Sequence, residues 1–298
     1  MSQINKVAVI GAGTMGARIA VVMARAGYRV SLYSRSQETL DKAQAIVESR
    51  VAQADVQYST SLESCLAGAD MVSENVAEEV ALKQHLFSLI EPQVSADCLL
   101  TTNTSSVSIT QLASVLSNPQ RLIGMHWFNP ADTMPMIEIV RGEKTADDVC
   151  QRVRDLCAQL GKETITVNQD IPGFIINRLQ YAMLREALYL VSAGIGSVED
   201  VDRAVQRTLA PRWAAMGPMK LMDFAGLDTV EKVAGILLPA LDNSTTLPPW
   251  LLEKVAAKQL GVKSGEGFYC WDGQSAAAAM RHREAIVTSL TARGTDDE

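Results

Sequence analysis

The sequence predicts an α/β domain built on a largely parallel sheet, followed by an all-α domain. Three observations carry this. From residue 4 to about residue 127, short apolar, β-rich runs alternate with helical stretches, the pattern of a parallel sheet covered by helices on both faces. The first run ends in a glycine loop that opens a helix. Near Asn168 the strand-like runs stop, and apolar residues then recur at helical spacing. The expected domains are residues 1–168 and 169–298.

The elements follow in order. Lys6–Ile10 is β-branched and apolar and reads as a strand. Thr14–Ala26 reads as a helix, with Met15, Ile19, Val22, Met23 and Ala26 on one face. Arg29–Ser34 is the second strand. Gly11, Gly13 and Gly16 between the first strand and the helix form G-x-G-x-x-G in the context that makes it a Rossmann-type dinucleotide fingerprint. Gly11 permits the tight turn, Gly13 lets backbone approach a pyrophosphate, and Gly16 lets helix and strand pack closely. The backbone of Thr14 and Met15 opens the helix whose N-terminus favours the anion. Further strands are expected at Asp70–Val76, Cys98–Thr102 and Arg121–His126, with helices at Gln37–Ala52, Glu79–Ile90 and Val107–Leu116. One helix is expected to fill most of Ser36–Ala69. Met136–Arg141 and Glu163–Val167 flank a helix, Thr145–Leu160, and extend the sheet in a different direction. In the second domain Phe174–Val191 is one long helix, with Gly194 as its C-cap. Ser197, three residues before Asp200, begins another. Asp228–Leu241 and Pro249–Leu260 are helical, Gly267–Trp271 is a short strand, and Gly294–Glu298 is an acidic tail.

With 298 residues, 47% hydrophobic and 20% charged, the chain reads as soluble and globular. A net charge of -7 carries no nucleic-acid footprint. No apolar run is long enough to span a membrane and no signal-peptide pattern opens the chain, so a cytoplasmic protein is expected. Cys65, Cys98, Cys150, Cys157 and Cys270 are scattered, without C-x-x-C, and suggest reduced structural thiols rather than a disulfide frame or a zinc site.

Several residues carry candidate chemistry. The second strand ends in Tyr33-Ser34-Arg35-Ser36, where NAD sites usually place an acid on the ribose 2′-hydroxyl. A guanidinium and hydroxyls in its place suit a 2′-phosphate, so the cofactor is expected to be NAD(P), with NADP(H) favoured over NAD(H). Of three histidines, His85 and His282 lie in polar surroundings. His126 ends an apolar strand at the carboxyl edge, where parallel sheets place their ligands. Glu138 sits among apolar residues and wants a partner. His126 can supply it, and a His–Glu pair fixes the imidazole tautomer for general-base work. A hydrogen-bonded core histidine and a water-facing edge glutamate are the plain alternatives. Asn103-Thr-Ser105-Ser106 follows another strand, and Asn177 lies on the long helix after Asp170-Ile-Pro-Gly173. Both can offer polar groups to a nicotinamide or a substrate oxygen.

Together these segments resemble the 3-hydroxyacyl-CoA dehydrogenase family. The matching blocks are Val9-Ile-Gly-Ala-Gly-Thr-Met-Gly16, Asn103-Thr-Ser-Ser106, Gly124-Met-His-Trp-Phe-Asn-Pro130, Met136-Ile-Glu-Ile-Val140, Asp170-Ile-Pro-Gly-Phe-Ile-Ile-Asn-Arg178, Met216-Gly-Pro218, Asp223-Phe-Ala-Gly-Leu-Asp228 and Lys263-Ser-Gly-Glu-Gly-Phe-Tyr269. The resemblance implies His126 as catalytic base, Glu138 as its carboxylate, and Ser105 and Asn177 as the groups holding the reacting oxygen. It sets Glu78 and Lys83 near the nicotinamide ribose. It also implies hydride exchange between a hydroxyl-bearing carbon and the dinucleotide, and a homodimer through the helical domain. Two departures stand out. One is Ser34-Arg35. The other is the short Ser36–Ala69 segment, where relatives acting on acyl-CoA carry a longer helical hairpin. A small free hydroxy acid or hydroxylated ring acid is therefore an alternative to an acyl-CoA, and Arg178, Arg185 or Arg212 could meet its carboxylate. A non-catalytic nucleotide-binding relative is the rival from another class.

Overall fold

A computed structural model of the chain describes residues 4–291, so the expected tail at Gly294–Glu298 lies outside the described residues. The chain divides into two compact units, Met1–Asn177 and Arg178–Glu298.

The first unit is built on one eight-stranded sheet: β1 (Lys6–Ile10), β2 (Arg29–Tyr33), β3 (Val56–Ser59), β4 (Met71–Glu74), β5 (Leu99–Thr102), β6 (Leu122–Trp127), β7 (Met136–Val140) and β8 (Glu163–Val167). Their order is β3-β2-β1-β4-β5-β6-β7-β8. Pairing is parallel from β3 through to β6, antiparallel between β6 and β7, and parallel again between β7 and β8. The expected change of direction at Met136 is this antiparallel step. Each central strand is buried on both faces: Val7 and Val9 of β1 enter one core layer, Ala8 and Ile10 the other. One layer is closed by α1 (Thr14–Arg25), α2 (Gln37–Glu48) and α6 (Asp147–Gln159). The other is closed by α3 (Leu62–Leu66), α4 (Val80–Ile90) and α5 (Ile109–Ala113). The α2 helix buries Leu40, Ala43 and Val47, one stripe at helical spacing.

The single long helix expected over Ser36–Ala69 is not what forms. Helix α2 stops at Glu48, Gln53 takes a left-handed turn (φ 60°), and the chain returns as β3 along β2 before the short α3. β3 is an edge strand of four residues, none of them fully buried, so its apolar signal is weak. Residues 169–177 stay with the sheet because Phe174 is buried in its core and the next two amides bond Glu138. Cys65, Cys98 and Cys157 are buried, and burial pushes each thiol up to about 12.

The described part of the second unit is helical. Helix α7 (Ile176–Ser192) ends in a Schellman turn, with Gly194 at φ 67° and the Ile195 amide on the Leu190 carbonyl. Ser197 caps α8 (Val198–Ala204) by accepting from the Asp200 amide. A π-helical turn, Val205–Leu209, joins α8 to α9 (Ala210–Ala225), which kinks at Gly217 ahead of Pro218. Then come α10 (Leu227–Leu237), α11 (Pro249–Ala256) and α12 (Gly273–Thr291). The strand expected at Gly267–Trp271 is absent: two isolated bridges, Gly261 with Glu266 and Glu266 with Cys270, fold this glycine-rich stretch into a knot of turns. Leu188 is the one buried hydrophobic residue among the described residues of this unit, while Met219, Phe224 and Ile236 are 74–82% exposed. No described helix is long and apolar enough to cross a membrane.

Candidate active site

At the carboxyl end of β1 the three glycines do three different things. Gly11 sits at φ 103°, and a Cβ there would lie 2.7 Å from the Asn75 carbonyl oxygen. A Cβ at Gly16 would fall 1.8 Å from the Gly11 carbonyl oxygen, so helix and loop touch there through bare backbone. A Cβ at Gly13 would meet nothing within 4 Å. Gly13 and Thr14 are exposed, and Gly13, as N-cap of α1, brings no side chain to the free amides of the first turn, which Thr14 and Met15 begin. The cradle fits a dinucleotide pyrophosphate, with donors aimed outward and open space above Gly13. At the end of β2, Ser36 accepts from the Thr39 amide as N-cap of α2, and Ser34 Oγ accepts from the Ser36 amide. Arg35 is exposed and has no hydrogen-bond or ion-pair partner among the described residues.

The antiparallel step sets His126 and Glu138 directly opposite each other on neighbouring strands. Both are buried, and His126 Nδ1 lies 2.6 Å from Glu138 Oε2. The other carboxylate oxygen accepts from the amides of Ile175, at 3.0 Å, and Ile176, at 2.9 Å, where α7 begins. A helix N-terminus thus stabilises the anion. An ionised carboxylate only accepts, so Nδ1 carries the hydrogen and Nε2 presents its lone pair. Phe128 and Phe174 pack around the imidazole, with ring centroids at 4.5 Å and 5.5 Å. Phe174 does so from a left-handed backbone, φ 50°, which nothing in the sequence signals. His85 and His282 are exposed, as expected.

The loop after β5 carries the remaining groups. Asn103 Oδ1 accepts from the Trp127 amide at 2.8 Å, beside His126. Asn177 Nδ2 reaches the Ser105 carbonyl at 3.5 Å, the outer limit of a hydrogen bond. The Ser105 hydroxyl has no hydrogen-bond partner among the described residues. Glu78 Oε1 accepts from Thr104 Oγ1 and from the amides of Ser105 and Ser106. Burial alone would raise the Glu78 pKa, but these bonds and the Lys83 ammonium outweigh it and hold the carboxyl at about 2. Lys83 is not an open cation: it is 1% exposed, and its ammonium lies between Glu74, at 2.8 Å, and Glu78, at 3.3 Å. The sequence reading missed Glu74 and Thr104. Thr104 lay inside a segment already singled out, whereas Glu74, at the end of an apolar strand, offered only the signal of a charge that must be paired. It also missed Asp132, buried in the loop after His126 between Arg18 at 2.5 Å and Arg50 at 2.6 Å. Hydrogen bonds therefore connect Glu78, Ser105, Asn177, Glu138, His126 and Asn103 into one neighbourhood at the carboxyl edge of the sheet.

Residues 6–171 match the 3-hydroxyacyl-CoA dehydrogenase NAD binding domain, and residues 173–271 match the C-terminal domain of the same family. The chain belongs to the 3-hydroxyacyl-CoA dehydrogenase family. It is 35% identical to 5-formyl-3-hydroxy-2-methylpyridine 4-carboxylate 5-dehydrogenase of Mesorhizobium japonicum, over 96% of this chain and 97% of that one. It is 34% identical to 3-hydroxybutyryl-CoA dehydrogenase of Bradyrhizobium diazoefficiens, over 91% of this chain and 96% of that one. Among solved structures, a 5-formyl-3-hydroxy-2-methylpyridine 4-carboxylic acid 5-dehydrogenase, described as an NAD+-dependent dismutase, superposes with a TM-score of 0.93 at 34% identity, covering 99% of this chain and all of that one. The (S)-3-hydroxybutyryl-CoA dehydrogenase of Ralstonia eutropha superposes with a TM-score of 0.73 at 35% identity, covering 91% of this chain and all of that one. The family's dehydrogenases act on hydroxy groups, and its first domain binds NAD, so a dinucleotide-dependent oxidoreductase is the class to which the site belongs.

Proposed function

We propose that this protein is an NAD(P)-dependent dehydrogenase in which His126 moves the proton and Glu138 fixes its tautomer, acting on a small free hydroxy or ring acid. The observation that carries the reading is the buried 2.6 Å contact between His126 Nδ1 and Glu138 Oε2. It leaves Nε2 to accept the proton of a substrate hydroxyl, and Glu138 then stabilises the imidazolium. Ser105, with its unpartnered hydroxyl, and Asn177 hold the reacting oxygen. A nicotinamide bound at the glycine loop supplies the hydride chemistry. In the reverse direction His126 returns the proton to a carbonyl oxygen.

Two observations support a free acid over a thioester. The whole chain superposes on the pyridine carboxylate dehydrogenase more closely than on the hydroxybutyryl-CoA dehydrogenase. Ser36–Ala69 holds α2, β3 and α3 and no long helical hairpin. The second reading, a 3-hydroxyacyl-CoA substrate, is favoured by the several 3-hydroxybutyryl-CoA dehydrogenases at 34–35% identity. The test is turnover followed at the NAD(P)H absorbance band with 5-formyl-3-hydroxy-2-methylpyridine 4-carboxylate and 3-oxobutyryl-CoA. Within it, His126→Gln should lower kcat on the order of a thousandfold while dinucleotide binding survives. An unchanged kcat would refute the base assignment, and dinucleotide binding with no turnover of either compound would favour a non-catalytic role.

For the dinucleotide, the exposed Arg35 and the missing acid at the end of β2 support acceptance of a 2′-phosphate, hence NADP(H). The NAD+-dependent relative supports NAD. Comparing KM for NADH and NADPH decides, with Arg35→Ala expected to raise the NADPH value alone. The helical unit, with one buried hydrophobic residue among those described, supports a homodimer whose second copy covers the exposed apolar faces. Light scattering at micromolar concentration should give twice the chain mass.

A further inference from the structure

Glu78 makes more contacts than a cofactor group needs. Four donors converge on Oε1: Thr104 Oγ1 at 2.6 Å, the Ser105 amide at 2.7 Å, the Ser106 amide at 2.8 Å and Ser106 Oγ at 3.0 Å. Oε2 meets the Lys83 ammonium at 3.3 Å. Lys83 in turn donates to both oxygens of Glu74, which is fully buried at the end of β4. Glu74 Oε2 also accepts from Thr102 Oγ1 at 2.6 Å. A Glu–Lys–Glu chain therefore grips this loop at both ends, at Thr102 where β5 finishes and at residues 104–106. The Ser105 hydroxyl takes no part in that grip. Two consecutive amides bonded to one oxygen orient the peptide planes on both sides of Ser105, and so the direction in which its side chain leaves the backbone.

A neutral isostere cannot reproduce this. Glutamine has one acceptor and a two-donor nitrogen. With its oxygen towards the loop, the nitrogen faces the Lys83 ammonium. Reversed, the nitrogen faces four donors.

We infer that Glu78 is a positioning residue, its carboxylate holding the turn at residues 104–106 so that the Ser105 hydroxyl is presented to the reacting oxygen. The inference rests on the role of Ser105 in the proposed function. It differs from a ribose contact in what it controls: a ribose contact acts on the dinucleotide KM, whereas positioning acts on kcat.

The test uses the full-length protein with NADH or NADPH and the two substrates named above, comparing wild type, Glu78→Gln, Ser105→Ala and the double variant. Amide hydrogen exchange at Ser105 and Ser106 is measured alongside. We expect Glu78→Gln to lower kcat by about 10- to 100-fold, to leave the dinucleotide KM within about threefold, and to speed exchange at both amides. In the Ser105→Ala background it should lower kcat no further. Thr104→Val removes a single donor and keeps the carboxylate. It should give a smaller loss of kcat in the same direction, and it carries the test if Glu78→Gln does not fold. Equal factors in the wild-type and Ser105→Ala backgrounds overturn the inference while leaving the Ser105 role standing. So does a change confined to the dinucleotide KM. Unchanged exchange at Ser105 and Ser106 overturns it whatever the turnover. If Ser105→Ala itself leaves kcat unchanged, the Ser105 role fails and the inference with it.

Discussion

Replacing Glu138 by glutamine keeps the shape of the side chain and changes one thing, the number of acceptors. The carboxylate receives His126 Nδ1 at 2.6 Å on one oxygen and two backbone amides, at 3.0 Å and 2.9 Å, on the other. Glutamine has two ways to fill that space. With its nitrogen towards Ile175 and Ile176, two buried amides lose their acceptor, at about 1–3 kcal/mol each. With its oxygen towards them, the backbone is satisfied and the nitrogen lies beside His126 Nδ1. The second arrangement wins. Nδ1 must then accept, the ring hydrogen moves to Nε2, and the base is blocked. By analogy with wrong-tautomer variants of hydrogen-bonded His pairs, kcat should fall about 1,000- to 10,000-fold, roughly 4–5.5 kcal/mol of barrier. Dinucleotide affinity should persist, because the glycine loop is untouched. The assay is initial rate at the NAD(P)H absorbance band, with dinucleotide affinity from fluorescence titration and the tautomer from imidazole nitrogen chemical shifts. A kcat within about threefold of wild type in a folded variant would refute the tautomer argument.

Further outcomes follow from the glycine loop and from Glu78. Gly13→Ala, at φ −68° with open space around the new methyl, should leave the melting temperature unchanged yet weaken NADH binding about tenfold or more, since a crowding methyl costs on the order of 1–3 kcal/mol. Gly16→Ala should destabilise the fold itself, because the methyl lands 1.8 Å from the Gly11 carbonyl oxygen; thermal unfolding and titration together separate the two variants. The folded Glu78 carboxyl, held at about 2 against an ordinary value of 4.5, gives stability that is present above pH 4.5 and is lost as the pH falls towards 2, since the unfolded chain takes up that proton first. The melting temperature of Glu78→Gln should therefore fall less steeply than that of wild type across that window, and equal slopes would contradict the assignment.

The α/β unit was legible because its signals are local and repeated. Apolar runs such as Lys6–Ile10 and Leu122–Trp127 are buried strands, and Gly11, Gly13 and Gly16 carry their geometry in their identity. The segment 36–69 was not legible. β3 is four residues at a sheet edge with no buried residue, and α3 is a five-residue helix, so neither generates a period long enough to read. Helix α9 was passed over because Pro211, Gly217 and Pro218 read as breakers, yet Pro211 sits in its first turn and Gly217 absorbs a kink. At the site, the pairing of His126 with Glu138 was readable from a charge set among apolar residues. The hold of the α7 amides on Glu138, and of Glu78 on residues 104–106, depends on contacts 27 to 38 residues apart that no spacing rule encodes.

His126 and Glu138 are register partners on the one antiparallel strand pair among the described strands. Cross-strand partners stay within about 5.5 Å of each other because the ladder dictates it, whatever the intervening loop does. The acid–base pair is therefore inherited from sheet geometry, while the groups that meet the substrate oxygen stand on a loop and at a helix start. Such a division lets a lineage exchange one substrate for another by editing the periphery, with the proton-handling unit passed on intact. Anyone retargeting this scaffold should leave β6 and β7 alone and diversify around Ser105 and Asn177.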